Sequence, residues 1–373
     1  MHRNVLSARQ SAQGEATAEH GENGTVAAVP GRPVLPECLY AHGFSINKRR
    51  SLRRFAAPSR VRPIRHAAQL PQRSTLCLWG SAPLPQGLAA DVQLIRVEDG
   101  FLRSVGLGAD LVRPISWVMD RRGMYYDATR ESDLEHLLQH TQFTPELLTR
   151  AAALRARIVA SGITKYSVGH GSWLRPQRPR VILVPGQVES DASVRFAAPV
   201  VRTNAALLGA VRKASPDSYI VYKPHPDVAA GLRARGRGEQ HARDWCDEIV
   251  TDVPMAVLLE RVDEVHVLTS LAGLEALLRG RSVVCYGLPF YAGWGLTRDV
   301  LPLARRRRRL KLDELVAAAL IMYPIYVSRS GGAHLSPEQA LDELLAWRNS
   351  STPPGRLSRY LRRAALRLAV GCP

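Results

Sequence analysis

Short apolar runs alternate with amphipathic stretches along most of the chain. Residues 75–79 (TLCLW), 92–97 (VQLIRV) and 115–119 (ISWVM) are bounded by turn residues and predict buried strands. Residues 131–139 and 145–161 carry apolar side chains at helical spacing, with Leu134, Leu137 and Leu138 in the first and Ala151, Leu154 and Ile158 in the second. Composition breaks at 170–179, where glycine, serine, two prolines and two arginines replace the periodic pattern. Beyond it, strands at 180–184, 219–222, 248–250, 264–268 and 282–286 alternate with helices at 200–213, 254–260 and 271–278. That order predicts an α/β fold with a parallel, doubly wound sheet. Such a sheet holds its ligand beyond the carboxyl ends of its strands. Helices at 313–321 and 337–347 are expected to lie across the junction of two domains.

The expected organisation follows from these breaks. Residues 1–35, rich in Ala, Gly, Glu and Ser without periodicity, predict a disordered leader. Residues 36–170 and 171–310 form two domains, 311–348 the junction helices and 349–373 a basic tail. At 373 residues the chain is long enough for two domains. No run of 18 apolar residues is present, and the first residues lack the pattern of a secretory signal. Five scattered cysteines without a CxxC pair fit a reducing cytoplasm.

Charge changes the picture. The formal net charge is +18, and three acid-free segments account for it. They are 48–65, with eight basic residues, 305–309, with five, and 356–373, with five. Localised basic patches on a neutral body point to docking on an anionic surface or acceptor; plain solvation of an arginine-rich chain is the bland alternative. Residues 356–369 space leucines between arginines, as in a basic helix lying on a membrane or in a solvated tail. Aromatic residues are not interleaved with the basic runs, so no nucleic-acid partner is expected.

Polar clusters follow the strands of the second half. Gln187, Ser190 and Asp191 follow the strand at 180–184, and Lys223-Pro-His225-Pro follows that at 219–222. Thr269-Ser270 follows that at 264–268 and opens a helix carrying Glu275. Residues 289–295 (PFYAGWG) follow that at 282–286. Lys223 and His225, stiffened by prolines, suit a phosphate, and Ser270 at a helix start suits an anion. Each alone has an ordinary reading as a turn or cap. Together, at successive strand ends, they predict a nucleotide site. In the first half Glu98 and Asp99 end a strand before a glycine-rich stretch, the arrangement of a carboxylate nucleophile or base beside a sugar's anomeric carbon. Residues 120–128 form a second polar turn, expected to lead Tyr125, Tyr126 and Asp127 to the same edge. No P-loop, GxGxxG, HExxH or GxSxG is present. His136 and His140 are spaced i, i+4, but Leu137 and Leu138 between them favour an ordinary amphipathic helix over a metal pair, and no metal is expected.

Several of these segments resemble the retaining β-Kdo glycosyltransferases of capsular polysaccharide assembly, the KpsC/LipB type. They are 40–55 (YAHGFSINKRRSLRRF), 97–108 (VEDGFLRSVGLG), 116–128 (SWVMDRRGMYYDA), 184–193 (VPGQVESDAS), 222–227 (YKPHPD), 269–280 (TSLAGLEALLRG) and 286–297 (YGLPFYAGWGLT). The likeness runs from about residue 40 to 347; residues 327–341 depart from the family pattern. It implies a GT-B architecture of two Rossmann-like domains facing a cleft, the first binding the acceptor and the second CMP-Kdo. It implies an anionic glycolipid acceptor, a lysophosphatidylglycerol carrying Kdo, at the cytoplasmic face of the inner membrane, with capsule assembly proteins as partners and no cofactor. Asp99 would be the nucleophile with Glu98 its neighbour, these two remaining interchangeable at this stage. Lys223, His225 and Ser270 would hold the CMP phosphate, and Gln187, Ser190, Asp191 and Glu275 the cytidine and ribose. Arg103 would pair with the Kdo carboxylate. Family members often carry two such modules; 373 residues hold one. A CMP-sialic-acid transferase, or a non-catalytic module that binds anionic polymer or serves capsule export, are the competing readings.

Overall fold

The computed structural model describes residues 34–105, 113–165 and 169–350. Residues 1–33 of the leader, residues 106–108 of the 97–108 motif and residues 351–373 of the basic tail lie outside them. The first sheet takes strands from both ends of the chain. Its members are β1 (Cys38–His42), β2 (Arg60–Pro63), β3 (Thr75–Trp79), β4 (Gln93–Asp99), β5 (Ser116–Asp120), β12 (Pro324–Val327) and β13 (His334–Leu335), in the order β13-β12-β5-β4-β3-β1-β2. The strands β1 to β4 run parallel, whereas β5, β12 and β13 join antiparallel. The sheet is therefore mixed rather than the uniformly parallel one of a Rossmann-like domain. The β4–β5 connection carries no helix among its described residues, and a connection without a crossover helix returns antiparallel.

The second sheet is parallel throughout, as the alternation of strand and helix requires. It orders β11 (Arg298–Asp299), β10 (Ser282–Cys285), β9 (Glu264–Val267), β6 (Val181–Pro185), β7 (Tyr219–Lys223) and β8 (Glu248–Ile249). The inner strands β6 and β7 are buried on both faces, which is why they read as continuous apolar runs. The helices α4 (Ala192–Ala197), α5 (Asn204–Ala214), α6 (Pro226–Ala229), α7 (Met255–Leu259) and α8 (Ala272–Leu278) connect them.

Four further helices fasten the two sheets. In α2 (Asp133–His140) Ser132 accepts from Glu135 N at 3.0 Å, and Leu134, Leu137 and Leu138 are buried. The long α3 (Pro145–Ser161) starts at a Thr144 cap with proline at its first turn and ends at Gly162, whose φ of 63° suits a helix terminus. It lies against α9 (Leu312–Val316), the π-helical turn 317–322 and α10 (Pro337–Ser350). One core cluster runs from Phe101, Val118 and Leu138 through Leu154 to Val181, Leu183 and Val265, so apolar contact is continuous between the sheets. Phe101 stacks on Phe290 with ring centroids 4.6 Å apart, one ring from each half. A separate cluster beneath α1 (Ile46–Phe55) joins Leu52 and Phe55 to Ile95, Val97 and Trp117 of the first sheet.

Candidate active site

Parallel strands bring their carboxyl ends to one edge, and the two sheets turn those edges toward each other. Between them lies a cavity of about 1130 Å³. From the first sheet it is lined by the exits of β3 (Trp79, Gly80), β4 (Glu98, Asp99) and β1, whose exit leads into α1 (Lys48, Arg50, Arg54). From the second sheet come Gln187 and Asp191 after β6, Lys223 and His225 at the end of β7, and Ser270 and Glu275 after β9.

On the first wall Asp99 is held from two sides. Arg103 Nε donates to its Oδ2 at 2.6 Å, and Trp117 Nε1, directly opposite across the β4–β5 ladder, donates to Oδ1 at 3.1 Å. Glu98 reaches the edge from the other face of the strand, and its Oε1 accepts from Asp99 N at 3.0 Å. Burial, then the Asp99 charge, push the Glu98 carboxyl up to about 7. Gly80, with φ of 50°, permits this: a Cβ there would stand 2.9 Å from both Glu98 Oε2 and Tyr126 Oη. Lys48 lies over the Trp79 ring, 3.6 Å from its centroid, a cation–π contact. Burial lowers its ammonium pKa, opposed by the charges of Glu98 and Asp99.

The second wall is cationic. Lys223 is buried, donates Nζ to Thr251 O at 3.1 Å, and is lowered by burial to about 8. His225 caps α6 with Nδ1 accepting from Asp227 N at 3.2 Å. Burial first, then the charges of Lys165 and Arg233, lower it to about 4, so the ring is neutral near pH 7. A neutral ring that accepts at Nδ1 carries its proton on Nε2 and is a donor there. Ser270 Oγ accepts from Ala272 N at 3.2 Å at the start of α8. Gly186 lets the β6 and β7 exits approach; a Cβ there would lie 2.6 Å from Tyr222 Oη.

Nine of the ten residues read as site candidates from sequence line this one cavity: Glu98, Asp99, Arg103, Gln187, Asp191, Lys223, His225, Ser270 and Glu275; Ser190 does not. Ser190 is exposed, one residue before the Asp191 that starts α4, and the turn faces it to solvent. Arg103 is in the cavity wall, with its Nε donating to Asp99 and its Nη1 to Ser104 Oγ at 3.0 Å, so it pairs with the nucleophile candidate. The Gln187 amide is also occupied, donating to Thr269 Oγ1 at 3.0 Å and accepting from Thr269 N at 2.9 Å; it braces two strand exits. Glu275 Oε1 accepts from Lys165 N at 2.6 Å. Tyr125 and Tyr126 reach the cavity, whereas Asp127 turns back to accept from Thr129 N at 2.9 Å. Lys48, Trp79, Lys165 and Arg233 were not singled out. Lys48 stood in a basic run and Trp79 at a strand end, but Lys165 and Arg233 carried no local signal.

The basic run 305–309 does not form a docking patch. Arg306 is buried, with Nη2 3.0 Å from Glu135 Oε2 and Nη1 donating to Pro289 O at 2.6 Å and Ala292 O at 2.7 Å. Arg305 pairs with the other Glu135 oxygen and donates to Ala128 O at 2.8 Å. Arg308 donates to Thr141 O at 2.6 Å and Glu314 Oε1 at 2.8 Å. These arginines strap α2 to the cavity-lining loop 289–294. Among the described residues no helix is long and apolar enough to cross a membrane.

Two facing α/β sheets with opposed carboxylates and cations at their strand ends belong to a sugar-polymer assembly family: the chain matches the model of the capsule polysaccharide biosynthesis proteins over residues 86–164 and 143–329, and it is a member of that family. It is 45% identical over 259 residues to the capsule polysaccharide modification protein LipA of Neisseria meningitidis serogroup A, covering 69% of this chain and 37% of LipA. It is 41% identical over 267 residues to the lipopolysaccharide-processing protein LpsZ of Rhizobium meliloti, covering 70% of this chain and 61% of LpsZ. The chain thus spans little more than a third of LipA. Among solved structures it is similar to two parts of Thermosulfurimonas dismutans KpsC. The β-Kdo 2,7 transferase superposes with a TM-score of 0.69 at 39% identity, covering 84% of this chain and 100% of that one. The β-Kdo 2,4 transferase gives 0.71 at 30% identity, covering 82% and 97%.

Proposed function

We propose that this chain is a retaining β-Kdo transferase of GT-B type that moves Kdo from CMP-Kdo to an anionic glycolipid acceptor in capsule assembly. The observation that carries the reading is the opposition, across one cavity, of the Glu98–Asp99 pair and the Lys223–His225–Ser270 wall. Its volume of about 1130 Å³ exceeds a typical small-ligand pocket and leaves space for donor and acceptor together. Likeness to the two KpsC transferases supports the choice of sugar, and the higher identity to the 2,7 transferase supports that linkage.

The chemistry is a double displacement. An Asp99 carboxylate oxygen attacks C2 of Kdo. The bond from C2 to the phosphate oxygen breaks, and its electron pair leaves with CMP. Lys223, the Nε2–H of His225 and Ser270 meet the phosphate charge as it develops. An acceptor hydroxyl then attacks C2, its proton passes to Glu98, and Asp99 departs as a carboxylate. Two inversions retain configuration. Arg103 and Trp117 orient Asp99 for both steps. A carboxyl raised to about 7 can take and return a proton near neutral pH, which supports Glu98 as the proton carrier and Asp99 as the nucleophile. The Kdo carboxylate meets Lys48 rather than Arg103. Exposed Ile46 and Arg53 of α1 would rest on the inner-membrane surface.

The test is intact-mass spectrometry of protein incubated with CMP-Kdo generated in situ, with CMP release followed on a Kdo-primed lipid acceptor. Wild type gains the mass of one Kdo residue or transfers it, and Asp99→Ala does neither. Folded wild-type protein that releases CMP from no CMP-activated keto sugar would sink the proposal.

A further inference from the structure

On the face of α2 turned away from the cavity, Glu131, His136 and His140 converge. They are the group of metal-ligating side chains found among the described residues, with one ligand atom from each all within 4.8 Å of one another. The i, i+4 spacing puts both imidazoles on one helix face, with ring centroids 4.6 Å apart. The buried Leu134, Leu137 and Leu138 account for the opposite face and leave the histidines outward. What the helix alone does not supply is the third donor. Glu131, from the turn before α2, brings Oε1 to 3.5 Å from His136 Nδ1. Its other oxygen lies 3.7 Å from Arg122, which also pairs with Asp133 at 3.2 Å.

We propose that these three residues bind a divalent transition-metal ion of the zinc class. Two imidazole nitrogens and one carboxylate oxygen suit zinc, and not magnesium or calcium, which take oxygen ligands. Tetrahedral bonds of about 2.0–2.1 Å put ligand atoms roughly 3.4 Å apart. Half-exposed imidazoles reach that spacing by small side-chain rotations, and the open side leaves a coordination position for water. The ion would tie the 128–131 turn to α2. That turn is where Ala128 O and Arg130 O receive Arg305 of the strap, so the metal would stiffen the clamp from outside. The role is structural and independent of the transfer chemistry.

The experiment uses the full chain, purified without a histidine tag and stripped with chelator. Zn²⁺ is titrated by calorimetry, Co²⁺ absorption is recorded, and thermal midpoints are measured with and without Zn²⁺. Wild type takes up one saturable equivalent, gives a low-coordinate Co²⁺ spectrum without a thiolate charge-transfer band, and melts higher with Zn²⁺. His136→Ala and His140→Ala each weaken binding at least about tenfold and lose the midpoint shift, with circular dichroism unchanged; Glu131→Gln weakens it by less. Absence of saturable binding in wild type overturns the proposal. So does one equivalent that both histidine variants retain, or a thiolate band, since either puts the metal elsewhere.

Discussion

Two runs of basic residues look alike on paper and end in opposite surroundings. In α1, Lys48 and Arg50 line the cavity, Lys48 within reach of the Glu98 and Asp99 charges, while Arg54 lines it and donates to Ser328 O. In 305–309, Arg305 and Arg306 turn inward onto Glu135 and backbone carbonyls. On the proposed reading the first run presents charge to a ligand; the second neutralises a buried carboxylate and closes a junction. The lesson concerns partners. A guanidinium surrounded by carbonyls and one buried carboxylate is part of the framework, whereas a cation on the wall of a large cavity is placed for recognition.

The contrast is sharpest in stability. Glu135→Ala leaves two arginines without their carboxylate, one of them buried, and is expected to cost about 3–5 kcal/mol in denaturant melts. A cost under about 1 kcal/mol, the range of exposed pairs, would return the strap to the class of solvated charge. Lys48→Met is the mirror image. Its stability should stay within about 1 kcal/mol of wild type, the scale of a surface or rim substitution, because the aliphatic stem still covers Trp79. Transfer of the sugar should fall by at least about tenfold, equivalent to one lost charge-assisted contact. Equal losses of stability and activity would erase the distinction between the runs.

The smallest effect is in pH. Lys223 has its folded pKa lowered to about 8, so it is charged below that and neutral above. Its ordinary value is higher, so between the two the unfolded chain holds more protons and stability rises with pH there, while the charge proposed to meet a phosphate is lost. With Glu98 raised to about 7 as the base, the transfer rate should therefore pass through a maximum between about pH 7 and 8 and fall above it. Lys223→Arg, which stays charged, should remove that fall, whereas strap variants should leave it in place. A profile unchanged by Lys223→Arg would take Lys223 out of the phosphate wall.

Some elements were legible because their local signals agreed. The strand 75–79 and the helix 145–161 were read to the residue: one is an apolar run closed by glycine, the other has a threonine cap, proline at the first turn and glycine at its end. Others carried no such agreement. In α1 only Leu52 and Phe55 are buried, so no apolar stripe marks the helix against its basic residues. The strand β12 follows the buried turn 317–322 without a break in hydrophobicity, and it joins the first sheet by pairing with β5 from two hundred residues away. Sequence spacing reports neither event, because each depends on contacts between distant segments.

For the candidate site the division is similar. Alternation of strand and helix by itself determined that the loops carrying Gln187, Lys223, His225 and Ser270 share an edge, since parallel strands have their carboxyl ends on one side. The adjacency of Glu98 and Asp99 at a strand end was likewise written in the chain. Only the tertiary structure decided what each charge meets: Arg103 held to Asp99, the Gln187 amide spent on Thr269, Ser190 turned outward, and Arg305 and Arg306 closed onto Glu135. Pairing energy depends on distance and burial in space, and a list of residues contains neither until the chain has folded.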